Sequence, residues 1–434
     1  MLKAGFARVD VTPPLGTYMA GYFKARHSRG VLDPIELNAI ALSDGAATSL
    51  LITADFLCID STHADAIRKA IAADTGVPRE HVMLTALHQH TSFGFFDEAA
   101  RRRRGETPSP TDEVYEPFLY IKFRDVAKMA LDDMAEATPA YAEKETAEQI
   151  SFVRRYYMKD GTVATNPFGK VAEIDRPCDP PDNTVRLVRL TREGKRDIAL
   201  VSFCTHPDVV SGDLYSADWP GFVRRFVEAE QGASCLLLNG AQGDSNHCDF
   251  VHGVRRGYPH AAHMGRVIAD TVRDIYPTAA PMEDVRVAGG ITAVTLKTRT
   301  DGIEEYEEAT RFLEAYRAGT LGYTPSMAAI GHAGRVTRLP HAPAFHHVPV
   351  SVLRLGRIAI VGFGGEPFTH YAIAVREACP DDVILSACCA NGYEGYLPTT
   401  LALREGGYEA ASSPFPDTIE DECVAAAVAL VKAL

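Results

Sequence analysis

The sequence places His88 and His90 two residues apart, in Leu84-Thr-Ala-Leu-His-Gln-His-Thr-Ser-Phe-Gly94, directly after the apolar run Val82-Met83-Leu84. On an extended chain, side chains two apart point the same way. The pair would therefore aim at one spot where a strand ends. Neutral imidazole is a good zinc ligand, and a second imidazole beside it can carry a proton near neutral pH. A lone His-x-His is more often two polar residues at a strand end, so its weight depends on what other strand ends carry.

Three further apolar runs end in similar cargo. Ile198 to Cys204 runs into Thr205-His206-Pro207. Cys235 to Leu238 runs into Asn239-Gly-Ala-Gln-Gly-Asp-Ser-Asn246. The hairpin of Val348–Leu355 and Ile358–Val361 ends at Gly364-Gly365-Glu366. Polar residues at the exits of strands in one sheet converge on a common crevice. Two histidines and a carboxylate with a position left for water make a hydrolytic zinc site. Asp55 also closes an apolar strand, where it could serve the site or cap a helix.

The elements needed to position these residues are legible as alternating strands and helices. Strands are expected over 6–12, 35–42, 49–53, 150–157, 185–190, 198–204, 235–238, 285–296, 348–355, 358–361 and 383–388, with one more that starts at the Val82 run and carries His88 and His90. Helices are expected over 62–73, 117–135, 221–230, 260–275, 302–318, 368–377 and 419–433, with 320–334 as a further helical stretch. The polar stretch 97–116 reads as a loop and a candidate lid. No repeat or low-complexity linker is visible. The mixture predicts an α/β fold of layered mixed sheets flanked by helices, organised as a single catalytic domain over 1–434.

Composition excludes several function classes. The 434 residues are 46% hydrophobic and 23% charged, with a net charge of −13. Such an acidic chain is a poor nucleic-acid binder. Its one basic run, Arg101 to Arg104, is short and suits a solvated loop or a contact in a homo-oligomer. No apolar run is long enough for membrane insertion. No secretion signal is read at the start, and the nine scattered cysteines suit a reduced, cytoplasmic protein. The expected partner is a small-molecule substrate.

Taken together and in order, the motifs resemble the catalytic domain of the neutral/alkaline, non-lysosomal ceramidase family, from Ala4 to Ser412. That family's Thr-His-Thr-His-Ser-Gly-Pro-Gly corresponds to Leu87-His-Gln-His-Thr-Ser-Phe-Gly94. Its later histidine corresponds to His206. Its Gly-Glu-(Phe)-Thr corresponds to Gly365-Glu-Pro-Phe-Thr369. Its Tyr-x-Thr-Thr run and Tyr-Glu-Ala-Ala-Ser correspond to Tyr396-Leu-Pro-Thr-Thr400 and Tyr408-Glu-Ala-Ala-Ser412. The resemblance implies Zn2+ held by His88, His206, Glu366 and Tyr396, with His90, Tyr408 and Arg154 lining the reacting centre.

The chain departs from the family at Gly243-Asp-Ser-Asn-His247, where an ungapped match puts Asn246 on the family's serine and a one-residue deletion would restore Ser245. It is also expected to lack the family's C-terminal immunoglobulin-like domain. These departures imply a zinc-dependent amidohydrolase or esterase acting on a small soluble amide or ester through metal-activated water, with Asn246 in the reacting centre. The alternatives are an inactive ligand-binding scaffold of the same fold, and a metallophosphoesterase suggested by Gly243-Asp-Ser-Asn-His247. The second wants its Gly-Asp and Asn-His motifs apart, and here they are fused.

Overall fold

The structure, a computed structural model, describes residues 1–23, 26–96 and 110–434. The strands of its largest sheet are β1 (Lys3–Asp10), β2 (Glu36–Ser43), β3 (Thr48–Ala54), β4 (Val82–Ala86), β5 (Ala135–Glu145), β6 (Thr184–Arg192), β7 (Ile198–Phe203) and β8 (Ser234–Asn239). Their order is β8-β7-β6-β5-β1-β2-β3-β4, and the short strand Ala280–Pro281 pairs with β5. A second sheet runs β9 (Val287–Lys297), β10 (Phe345–Leu355), β11 (Ile358–Phe363) and β12 (Val383–Ala387) in that order.

The helices are α1 (Ser61–Thr75), α2 (Pro110–Asp132), α3 (Asp218–Gln231), α4 (Tyr258–Ile275), α5 (Tyr306–Ala318), α6 (Met327–Val336), α7 (Thr369–Ala378), α8 (Thr400–Glu405), α9 (Tyr408–Ser412) and α10 (Ile419–Ala433).

One topology recurs three times. β1, β2 and β3 pair antiparallel, and α1 then carries the chain to β4, parallel to β3. The sequence β5, β6, β7, α3, β8 does the same. So does β9, β10, β11, α7, β12. Each unit is followed by a further helix on its outer face, α2, α4 and α10 in turn. The first two units join edge to edge through β1 and β5 over only Lys3↔Glu136 and Ala4↔Ala135.

Period-two alternation then builds four layers. In β2, Leu37, Ala39 and Ala41 face α1 and α2, whereas Ile40 and Leu42 face the second sheet. In β7, Val201 and Phe203 face α3 and α4, and Leu200 faces inward. In β11, Val361 and Phe363 meet α7 and α10, and Ile360 faces inward. Strands buried on both faces read as continuous apolar runs, which is why they were visible in the sequence. Helices, sheet, sheet and helices therefore stack in order, as the α/β layered reading expected.

Several expectations are corrected. β5 was not expected, and the helix before it was read as running to Ala135. Its sequence, Ala-Glu-Ala-Thr-Pro-Ala-Tyr-Ala-Glu-Lys-Glu, is rich in helix formers and much of it stays exposed, so pairing with β6 overrides propensity. The strand read over 150–157 breaks at Arg154 into Phe152–Val153 and Arg155–Met158. The repeat was invisible because its units share strand order and no recognisable sequence. Of the stretch 97–116, residues 110–116 open α2, while 97–109, with the Arg101–Arg104 run, lie outside the described residues.

All nine cysteines are free thiols and eight are buried. Among the described residues no helix is long and apolar enough to cross a membrane.

Candidate metal centre

The third and fourth strands of each unit run parallel, so their carboxyl ends exit on one side. Asn239 at the end of β8 donates through Nδ2 to Leu87 O beyond β4, at 2.9 Å. Cys388 N beyond β12 donates to Asn239 O at 3.0 Å. The Thr85 hydroxyl of β4 donates to Cys388 O at 2.6 Å. These bonds tie the three units together where the polar residues emerge.

His88 and His90 do meet there, but not by strand alternation. β4 stops at Ala86, and His88 has φ +74, a conformation uncommon for a residue with a side chain. The turn brings three imidazoles together. Ring centroids are 5.0 Å apart for His88–His90, 4.8 Å for His88–His206 and 5.1 Å for His90–His206. One ligand nitrogen from each lies within 4.8 Å of the others, the geometry of a site that could hold a metal ion.

Glu366 completes the cluster. Its Oε2 lies 3.1 Å from His88 Nε2 and 3.5 Å from His206 Nε2. Four ligands at zinc bond lengths of about 2.0–2.1 Å in a tetrahedron sit about 3.3 Å apart, and these two spacings bracket that value. Glu366 Oε2 and His206 Nε2 are buried without a hydrogen-bond partner, as are both ring nitrogens of His90. Unpartnered buried acceptors cost free energy unless something charged meets them. A divalent cation meets this donor set well.

The outer bonds orient the ligands. His88 Nδ1 lies 2.8 Å from Leu57 O and His206 Nδ1 3.3 Å from Gln242 O, which leaves each Nε2 as the metal-facing atom. The Tyr393 hydroxyl donates to Glu366 Oε1 at 2.8 Å. Burial, reinforced by the neighbouring His88, holds His90 well below the usual imidazole range. Burial with Arg154 and the other histidines does the same to His206. Burial opposes the Glu366 charge, yet His88, Arg154 and Tyr393 bring its carboxyl down to about 2. His90 and His206, kept neutral by burial beside an ionised carboxylate, are in the protonation state that metal binding needs.

Arg154, Tyr396 and Tyr408 stand together beside the cluster, as one wall. Arg154 is buried; its Nε lies 2.7 Å from Glu409 Oε1 and its Nη2 donates to Gly243 O at 2.7 Å. Although burial works against its charge, Tyr396, Glu409 and Glu366 hold it firmly as a cation. Its guanidinium carbon stands 5.3 Å from the Tyr396 ring centroid, and the Tyr396 and Tyr408 rings meet edge to face at 5.4 Å. Burial lifts the Tyr396 pKa well above the usual phenol value and pushes Tyr408 up to about 12. Tyr396 reaches the site because Glu366–Pro367 and Tyr396–Leu397 pair as short parallel strands.

Asn246 lies beside this wall, engaged in its own loop. Ser245–Asn246 pairs with Phe152–Val153. Asn246 Nδ2 donates to Asn166 Oδ1 at 2.7 Å and its Oδ1 accepts from Cys248 N at 2.9 Å. The Ser245 hydroxyl donates to Gln242 O at 3.3 Å, the carbonyl that also faces His206 Nδ1. Asp218 opens α3 with φ +48, and its carboxylate accepts from the backbone of Val209, Val210 and Trp219. His252 is exposed beside Asp249, and His263 pairs with Glu148 at 2.9 Å.

Sequence reasoning missed Glu409, Tyr393 and Asp208. Glu409 bridges Arg154, Arg155 at 4.0 Å and the Thr165 hydroxyl at 2.7 Å. It directly follows Tyr408, and a buried Arg154-Arg155 pair demands an acid, so that motif held the signal. Asp208, 3.9 Å from His90 Nδ1, accepts a hydrogen bond from the Tyr22 hydroxyl. Nothing in its local sequence marks it.

No family model and no curated protein matches the chain. Solved structures do. The crystal structure of neutral ceramidase from Pseudomonas aeruginosa is similar with a TM-score of 0.74 at 16% sequence identity, over 100% of this chain and 75% of that one. A ceramidase complexed with C2 gives 0.75 at 16% identity, over 100% of this chain and 76% of that one. The chain has the ceramidase fold, as the motif resemblance implied.

Proposed function

We propose that this protein is a zinc-dependent hydrolase that cleaves an amide or ester bond in a small soluble substrate. The observation that carries the reading is Glu366 Oε2, buried and unpartnered at 3.1 and 3.5 Å from two imidazole nitrogens. The fold shared with ceramidases, enzymes that hydrolyse an amide, points the same way.

In this reading His88, His206, Glu366 and Tyr396 hold the metal. Zinc held by these residues would make hydroxide available at neutral pH, since it lowers the pKa of water to about 7. A nearby divalent charge also offsets the burial that keeps Tyr396 a neutral phenol.

The remaining steps belong to the chain's own side chains. Arg154, fixed by Glu409 and Gly243 O, binds the substrate carbonyl oxygen and stabilises the charge that develops on it. The Tyr408 hydroxyl, which keeps its proton, joins it there as a hydrogen-bond donor. His90, neutral and free at both ring nitrogens, accepts the proton of the attacking water and delivers it to the leaving amine or alkoxide. Asn246 keeps the 243–246 loop against Arg154.

The test pairs elemental analysis with a panel of p-nitrophenyl acetate and short N-acyl p-nitroanilides. About one zinc per chain and zinc-dependent hydrolysis of an ester or anilide are expected. Absence of metal from protein purified with zinc present would overturn the metal assignment. Zinc-loaded protein inert toward the whole panel would favour a ligand-binding scaffold.

A further inference from the structure

Gln89 stands between His88 and His90, and its fully buried side chain turns into the protein. Its Nε2 donates to Asp55 Oδ1 at 2.9 Å. The nitrogen must face that carboxylate, because the amide oxygen would repel it. Asp55 is also fully buried. Arg224 donates to it through Nη1 at 2.8 Å and Nη2 at 2.5 Å, and Glu36 N adds a bond at 3.0 Å. Arg224 reaches the Glu36 carboxylate as well, at 3.2 Å. A carboxylate has about four acceptor positions; three are taken by Arg224 and Glu36, and Gln89 takes the fourth.

The pair spans two units. Asp55 follows β3 in the first, and Arg224 lies on α3 of the second. The same strand end holds the turn through its backbone: Phe56 O accepts from His88 N at 2.9 Å, and Asp55 O accepts from the Ser92 hydroxyl. On the other side His90 N donates to Pro207 O at 3.1 Å, next to His206. A turn with His88 at φ +74 needs such a hold. The motif that this stretch resembles has threonine at this position, with no amide and a shorter reach.

We infer that Gln89, clamped by the buried Asp55–Arg224 pair, is the positioning residue that sets the spacing of His88 and His90 and so the zinc affinity of the site. This rests on the zinc reading above. Asp55 thereby has a part in the site without touching the metal.

Gln89→Met keeps the length, removes the donor and leaves the Asp55–Arg224 pair whole. Gln89→Asn keeps the amide and draws it back by one methylene. Thr271→Val serves as control, since it removes a buried hydrogen bond, Thr271 Oγ1 to Val267 O at 2.9 Å, within α4. Zinc dissociation constants are measured by competition with a chromogenic chelator, beside thermal midpoints of the metal-free proteins. Both Gln89 variants should bind zinc about tenfold to hundredfold more weakly, as when a group that orients a ligand is lost, while Thr271→Val binds as wild type. Wild-type affinity in either folded Gln89 variant, or equal weakening in the control, would overturn the inference. Wild-type protein that takes up no zinc would overturn the metal reading and this inference with it.

Discussion

Asp55 and Glu366 both lie beyond the third strand of their units, one and three residues past it, and both are buried carboxylates. Their surroundings differ. Asp55 meets Arg224, Gln89 and Glu36 N, which fill its acceptor positions. Glu366 receives one hydroxyl on Oε1, and its Oε2 faces two imidazole nitrogens with no hydrogen-bond partner. His206 likewise lies three residues past the third strand of the second unit. One topology thus places a structural ion pair there in one unit and the proposed metal ligands in the other two. Burial of an acid does not mark function; lone pairs left unspent do.

The sharpest way to break this comparison is to neutralise each acid in turn. Glu366→Gln keeps the shape and removes the charge, so zinc binding should weaken more than about a hundredfold, beyond the loss from disturbing an outer partner. The metal-free protein should lose less stability than Asp55→Asn, because imidazoles and not a guanidinium face Glu366 Oε2. Asp55→Asn should cost mainly stability, with zinc binding weakened no more than in the Gln89 variants. It strips Arg224 of its main partner, and breaking a buried pair costs about 3–5 kcal/mol; the Glu36 carboxylate at 3.2 Å puts the loss near the lower end. Melting of the metal-free variants beside zinc titrations separates the two patterns. A Glu366→Gln protein that unfolds while retaining zinc would erase the distinction.

His90 sharpens the comparison within the cluster. Its ring is as close to the others as a ligand's would be, yet its side-chain contacts run to Tyr22 and Asp208. His90→Ala should lower turnover on the hydrolysed substrate by ~10²–10⁴ and leave zinc content intact. Zinc lost in step with activity would make His90 a ligand instead. Tyr396→Phe should weaken zinc, and Tyr408→Phe should lower turnover with zinc retained; the reverse outcome would exchange the roles of the two tyrosines.

The smallest effect is expected at Gly331. A Cβ there would come 2.9 Å from the Tyr408 ring. Alanine in place of a helical glycine ordinarily adds about 1 kcal/mol of stability. Here it should displace Tyr408 and lower turnover by about tenfold to a hundredfold, as a misplaced group does. In a Tyr408→Phe background, where the hydroxyl is already gone, Gly331→Ala should cost little more. An equal loss in both backgrounds would show that Gly331 does not act through Tyr408.

Much of the cluster was legible because its residues follow strands buried on both faces, whose apolar runs end abruptly in polar cargo. The grouping of His88, His90, His206 and Glu366 needed only the rule that parallel strand ends converge. The details were not legible. The φ of His88 is set by carbonyls from Phe56 and Pro207, far from it in sequence. The recurrence of three units left no sequence trace, because strand order depends on which apolar runs pair and not on their spelling. Asp55 was marked by its place after an apolar strand and Glu409 by its motif, but which arginine each meets was not legible. β5 misled because its alanines and glutamates favour a helix, and its neighbour decided otherwise.

In the proposed reading, Glu366 Oε2 and the two imidazole nitrogens hold one metal ion. Diffraction from crystals grown with zinc, recorded on both sides of the zinc absorption edge, tests it directly. The prediction is a strong anomalous peak about 2.0–2.2 Å from His88 Nε2, His206 Nε2 and Glu366 Oε2 together. A zinc-saturated crystal with no peak between these three atoms, or with its peak among His247, His260 and His263, would contradict it.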